Sequence, residues 1–252
     1  MTLETNNFFD INKLPQEEGL LLWGISMNRI GNSQSGEKVF NYFGDLYDKV
    51  NQTDGIGNVV LYADYLYFNS KRESSISKNR YIDLMIAHKN NLLNTLSQNP
   101  NWVKKAFSFY TFGQMIVDNS SLYIKTLQLL TNMYNTDPKF REAVIFDVKL
   151  NKKAEQEEEE ELAVKFILEE ITIFYLFAKG CIKTNNEFVR NPVWTLQCYP
   201  GKPLKSEVYL FQQNPMKLEN PKNKFEYCYY DLDAKILYDY KMLDIDTFDF
   251  NE

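Results

Sequence analysis

The feature that most constrains this chain is a strand, helix, strand pattern near its start. "GLLLWGIS" (19–26) is a short apolar run stopped by Gly24 and reads as a buried strand. "KVFNYFGDLYDKV" places Val39, Phe40, Phe43, Leu46, Tyr47 and Val50 at helical spacing. "TDGIG" is a turn, and "NVVLYADYLYF" is a second apolar, β-rich run. That order predicts a right-handed βαβ unit and a parallel sheet.

Downstream, "SKNRYIDLMIAHKNNLLNTLSQ" is amphipathic and helical, with Ile82, Leu84, Met85, Leu92, Leu93 and Leu96 apolar. "SSLYIKTLQLLTNMYNTDPKFREAVI" is helical and broken near Asp137-Pro138. "AEQEEEEELAVKFILEEITIFYLFAKGC" is a helix with acids in its first turns and Lys179-Gly180 at its end. "VWTLQCYP" and "SEVYLFQQ" read as short strands. With no internal repeat and no linker, residues 1–252 are expected to form one α/β domain, a parallel sheet flanked by helices.

The totals exclude several classes. An apolar fraction of 44% belongs to a folded protein, and no stretch approaches about 20 consecutive apolar residues, so no membrane span is expected. "MTLETNNFFDINKLPQEEG" lacks the basic and apolar regions of a signal peptide. Cys181, Cys198 and Cys228 are odd in number and have no metal spacing, which fits a reduced, cytoplasmic setting. His88 is the single histidine, so a zinc site built on histidines is not expected and no metal is. The net charge of −6 hides a local excess: Lys71, Arg72, Lys78, Arg80, Lys89, Lys104 and Lys105 stand against only Glu73 and Asp83. Such a cluster attracts phosphates, although a solvated helix face has the same letters.

Three places carry candidate chemistry. Ser26 lies where the first strand ends, the edge at which open parallel sheets bind ligands, and Gly24 lets another group come close. On spacing alone a turn or capping serine is the plainer reading. No G-x-G-x-x-G or P-loop occurs, and Asn28 stands where a G-x-S-x-G elbow needs glycine. Phe166, Glu170 and Phe174 share one helix face, flanked by Ile167, Ile171 and Ile173. An acid within an apolar stripe is paired, protonated or functional. Glu169, its neighbour, is assigned to the solvated acidic face. Tyr199 closes an apolar run before the Pro200-Gly201 turn, one of 17 tyrosines.

Together these features resemble the tRNA-dependent cyclodipeptide synthases. That family has Gly-x-Ser at the end of its first strand, Tyr-x-x-x-Glu on a later helix, and then Tyr followed by His or Pro. The matches are Gly24-Ile25-Ser26, Phe166 to Glu170, and Tyr199-Pro200, in the family's order and over essentially the whole chain. Arg29 and Tyr199-Pro200 resemble the subgroup with Tyr-Pro and no Asn after the nucleophile. Phe166 departs from the usual Tyr, and the stretch between Glu170 and Tyr199 suggests an inserted loop around 180–192.

The resemblance implies a Rossmann-like fold similar to class I tyrosyl- and tryptophanyl-tRNA synthetase catalytic domains. It implies two aminoacyl-tRNA substrates, a monomer, and no cofactor or ATP, since H-x-G-H and K-M-S-K-S are absent. Ser26 would carry the aminoacyl group, Glu170 would hold the α-ammonium, and Tyr199 would relay protons. Leu22, Gly24, Arg29, Phe166 and Pro200 would line the aminoacyl site, and the basic cluster would meet tRNA. Two rivals stand beside it. One is a serine acyltransferase or hydrolase with His88, expected at the surface or its boundary, as base; the other is an impaired aminoacyl-tRNA-binding relative.

Overall fold

The computed structural model describes residues 19–50, 56–68, 75–99, 107–150, 157–179, 181–182, 194–217 and 225–251. The expected inserted loop at 180–192 lies, Cys181 and Ile182 apart, outside them. The chain runs β1 (Gly19–Ile25), α1 (Gly36–Val50), β2 (Ile56–Tyr62), α2 (Asp64–Phe68), α3 (Ser75–Gln98), β3 (Phe107–Thr111), α4 (Phe112–Asp118), α5 (Ser120–Thr136) and α6 (Pro138–Leu150). Then follow α7 (Glu157–Ala178), β4 (Trp194–Tyr199), α8 (Lys205–Gln213), β5 (Phe225–Asp231) and β6 (Ile236–Asp239).

The strands form one six-stranded sheet in the order β3-β2-β1-β4-β5-β6. All pairings are parallel except β5 with β6. β1 is central and every one of its residues is buried, which explains its unbroken apolar run: a parallel strand covered on both faces has no polar side.

Alternation along the strands separates the two faces. Trp23 packs edge-on against Phe43 of α1, centroids 4.2 Å apart. Gly24 turns to the other face, where Phe174 of α7 lies. On β5, Cys228 and Tyr230 join the core that holds α1, while Tyr229 joins the core of α5 to α8.

The stretch expected as the strand "SEVYLFQQ" is instead the helix α8. Ser206 through Phe211 are all buried, so no 3.6-residue stripe shows in the sequence, and a helix buried all round has the apolar run of a buried strand. Asp147 of α6 decides the outcome. Its two carboxylate oxygens accept from the Lys205 and Ser206 N–H groups at 2.9 and 2.8 Å, capping the first turn from another helix.

Candidate active site

From β1 the chain passes to β2 on one side, and β4 later joins on the other. That reversal makes the carboxyl ends of β1 and β4 a switch point, where open α/β sheets leave a crevice. Ser26 is the first residue past β1, and Tyr199-Pro200 ends β4. The register Trp23↔Cys198 brings Gly24 level with Tyr199.

A Cβ on Gly24 would stand 3.3 Å from Tyr199 Cδ2 and 3.4 Å from Phe174 Cζ. The bare glycine therefore lets both rings close on the strand end. Phe174 is one turn past Glu170 and two past Phe166 on α7, so the helix face singled out in the sequence is the one that reaches β1. Phe112 backs Phe174 edge-on at 5.7 Å. Leu22 faces the same way as Gly24 and is completely buried beneath it.

Arg29 ties the two strand ends together. Its guanidinium stands 5.3 Å from the Tyr199 ring centroid, and Nη1 donates to the Pro200 carbonyl at 3.2 Å. Behind Pro200, Gly201 has φ 97°, a region that side chains rarely adopt. Its N–H donates to Asp231 Oδ1, and its carbonyl accepts from the Tyr229 hydroxyl.

The Ser26 loop is held from below by residues that sequence reasoning missed. The Ser26 N–H donates to Gln34 Oε1 at 2.8 Å, and Gln34 Nε2 donates to the Gly24 carbonyl at 2.6 Å. The Gln34 backbone carbonyl in turn meets His88 Nε2 at 2.9 Å, and His88 Nδ1 meets the Tyr62 hydroxyl at 2.9 Å. A carbonyl only accepts, so Nε2 carries the proton, and Nδ1 of the neutral ring accepts from Tyr62. His88 is thus a buried residue, not the surface or boundary one expected, and burial lowers its pKa against the opposing pull of the Gln34 carbonyl. Both ring nitrogens are engaged away from the Ser26 hydroxyl. Nothing in the sequence singled out Gln34, because a buried glutamine in an Asn/Ser/Gly-rich loop has the letters of an exposed turn.

Of the two adjacent acids of α7, Glu169 leaves the solvated face expected for it, and Glu170 stands at the boundary of the apolar stripe. Glu169 is buried, 4% exposed, while Glu170 is half-buried. Lys165 one turn earlier reaches Glu169 at 3.8 Å. The Tyr123 and Tyr65 hydroxyls are held protonated, first by burial and then by the Glu169 charge. The reason is the helix itself: from Ile171 to Lys179 every residue is buried, so the region has no solvated face on which Glu169 could sit.

Of the basic cluster, Arg80 and Lys89 are exposed on α3, and Lys89 Nζ lies 5.1 Å from the Phe109 ring centroid. Lys71, Arg72, Lys104, Lys105 and the Lys78 side chain lie outside the described residues. α3 is joined to the Ser26 loop by the His88–Gln34 bond and by Tyr81, whose hydroxyl donates to Asn28 Oδ1 at 3.4 Å. Among the described residues no group of His, Cys, Asp or Glu is arranged to hold a metal, and no helix is long and apolar enough to cross a membrane.

No protein-family model matches the sequence, and no curated protein does. Solved structures match the fold. A cyclodipeptide synthase from Candidatus Glomeribacter gigasporarum bound to Phe-tRNAPhe aligns with a TM-score of 0.57 and 18% identity over 86% of this chain and 88% of that one. The CDPS from Staphylococcus haemolyticus aligns at 0.57 and 15% identity over 89% and 94%. A cyclodipeptide synthase from Bacillus thermoamylovorans aligns at 0.55 and 19% identity over 89% and 91%. At these identities the likeness is one of fold.

Proposed function

We propose that this protein is a tRNA-dependent cyclodipeptide synthase of the Tyr-Pro subgroup, working in the cytoplasm as a monomer. The observation that carries the reading is the meeting of β1, β4 and α7 at Gly24, two residues before Ser26. There the Tyr199 and Phe174 rings stand 3.3 and 3.4 Å from the place a Cβ would take. These are the segments that carry the family-like residues, and the fold they sit in is that of solved cyclodipeptide synthases.

In this reading Ser26 Oγ attacks the ester carbonyl of a first aminoacyl-tRNA, the tRNA hydroxyl leaves, and the aminoacyl group stays on Ser26. The free amine of that group attacks the ester of a second aminoacyl-tRNA, which again releases tRNA and leaves a dipeptide on Ser26. Its terminal amine then closes on the Ser26 ester, forming the diketopiperazine and restoring the hydroxyl. Aminolysis of an ester is intrinsically feasible, so positioning accounts for much of the rate. Glu170 holds the α-ammonium and takes its proton; Tyr199 relays protons during closure. Leu22, Gly24, Phe166 and Pro200 bound the aminoacyl site, and Arg29 keeps the Tyr199-Pro200 corner against the Ser26 loop. Arg80 and Lys89, on the helix that abuts that loop, meet tRNA phosphates together with Lys71, Arg72, Lys78, Lys104 and Lys105.

The His88-based hydrolase reading loses its base, because each ring nitrogen already has a partner at 2.9 Å. The impaired-relative reading is favoured by one observation, the absence of a hydroxyl on Phe166. Expression in a bacterial host and mass spectrometry of the medium separates them. Cyclic dipeptides appear with wild-type protein, vanish with Ser26→Ala and increase with Phe166→Tyr under the synthase reading. A medium unchanged by soluble wild-type protein, with Phe166→Tyr gaining activity, assigns the impaired relative.

A further inference from the structure

The β1–β4 ladder stops at Trp23↔Cys198, one step short of the site. The direction of the next groups is fixed by the opposite strand. The Ile25 carbonyl accepts from Ala63 N–H at 3.0 Å on the β2 side, so the Gly24 carbonyl and the Ser26 N–H both face β4. In a ladder continued by one step, both would bond the peptide groups of residue 200: Gly24 O would accept its N–H and Ser26 N–H would donate to its carbonyl. Residue 200 is proline, which has no N–H, and its carbonyl is taken by Arg29 Nη1.

Gln34 supplies both missing partners. Its side-chain amide donates to Gly24 O at 2.6 Å and accepts from Ser26 N–H at 2.8 Å, so its N and O positions are fixed by chemistry: neither partner could be served by the flipped amide. The residue is 1% exposed. Its own backbone is anchored at both ends, N–H to the Arg29 carbonyl at 2.9 Å and carbonyl to His88 Nε2 at 2.9 Å.

We propose that Gln34 is the positioning residue of the Ser26 nucleophile, its side-chain amide standing in for the peptide group that Pro200 does not offer. The proposal rests on the reading of Ser26 as the residue that is acylated. It makes the proline at the end of β4 and the glutamine eight residues past Ser26 two halves of one device. The proline ends the ladder and opens the crevice; the glutamine keeps the freed strand end in register.

The test uses the full chain with Gln34→Met and Gln34→Glu, and three readouts. These are transfer of label to protein from total bacterial tRNA charged with radiolabelled amino acids, affinity for that tRNA, and hydrogen exchange of the Ser26 amide. Gln34→Met is expected to transfer about tenfold to a hundredfold more slowly, with tRNA affinity within about twofold, because a displaced nucleophile slows chemistry without touching remote contacts. Its Ser26 amide exchanges at least about tenfold faster.

Gln34→Glu is nearly isosteric and covers the case in which the methionine variant does not fold. A neutral carboxyl both donates and accepts, whereas a carboxylate only accepts, so its transfer rate relative to wild type rises as pH is lowered. Unchanged Ser26 exchange in both variants, or transfer by both within about twofold of a labelled wild type, overturns the proposal. An unlabelled wild type sinks the synthase reading alone. The exchange measurement then decides the positioning: a faster Ser26 amide upholds it and an unchanged one rejects it.

Discussion

His88 donates through Nε2 to the Gln34 carbonyl and accepts through Nδ1 from the Tyr62 hydroxyl, and a proton on Nδ1 would force that buried hydroxyl to turn its own hydrogen away. Burial disfavours that proton as well and lowers the pKa from 6.5. The folded state therefore binds fewer protons than the unfolded chain below that value. The stability tied to neutral His88 is complete above about pH 6.5, is lost as pH falls from there toward the folded pKa, and levels off below it. Urea unfolding at about pH 7.5 and about pH 5.5 measures this: wild type should lose more stability across the interval than His88→Gln, which cannot titrate. Equal losses would show that the ring is not held neutral. Ser26, Tyr199 and Pro200 were legible because strand ends have local letters: an apolar run, then Gly or Pro. Gln34, His88 and Glu169 owe their places to packing that no periodicity or local motif encodes: the Gln34 amide folds back on Gly24 and Ser26 across the loop, and His88 meets Gln34 and Tyr62, 54 and 26 residues away.

At the scale of elements the βαβ start was legible for the same reason, and α8 was not. Its Val208, Tyr209, Leu210 and Phe211 form an apolar run that periodicity cannot assign, and its N-cap residue, Leu204, has no side-chain acceptor. The cap comes from Asp147, a fully buried residue 58 positions earlier. Removing it strands the Lys205 and Ser206 N–H groups in the core and takes an anion from a helix N-terminus. Asp147→Ala is expected to cost about 2–4 kcal/mol in urea unfolding, and Asp147→Asn, which keeps one accepting oxygen, about half of that. A loss below about 1 kcal/mol for the alanine variant would mean that packing of Val208 and Leu210, not the cap, makes the helix.

For the whole molecule, charge distribution decides how an acidic protein could meet tRNA. The chain carries −6, yet α3 presents Arg80 and Lys89 next to the loop of Ser26, with Asp83 the exposed acid between them, and a second group of acids lies on α7. Glu160 and Glu161, with Tyr134 and Val164, line a cleft at the start of α7, about 20 Å along the helix axis from Phe174. Under the proposed function, phosphates approaching Ser26 would come over these cations and stay clear of that cleft, by an attraction that is short-ranged at physiological salt. Arg80→Glu with Lys89→Glu should weaken tRNA binding about tenfold or more at low salt and reduce the slope of log affinity against log salt by roughly 1.5–2 units. Two lost phosphate contacts release that many fewer counterions. Filter binding across a salt series reads both. An unaltered slope with retained affinity would place the tRNA path away from the exposed face of α3, and the acceptor end would then have to reach Ser26 from the side of β4 and Arg29.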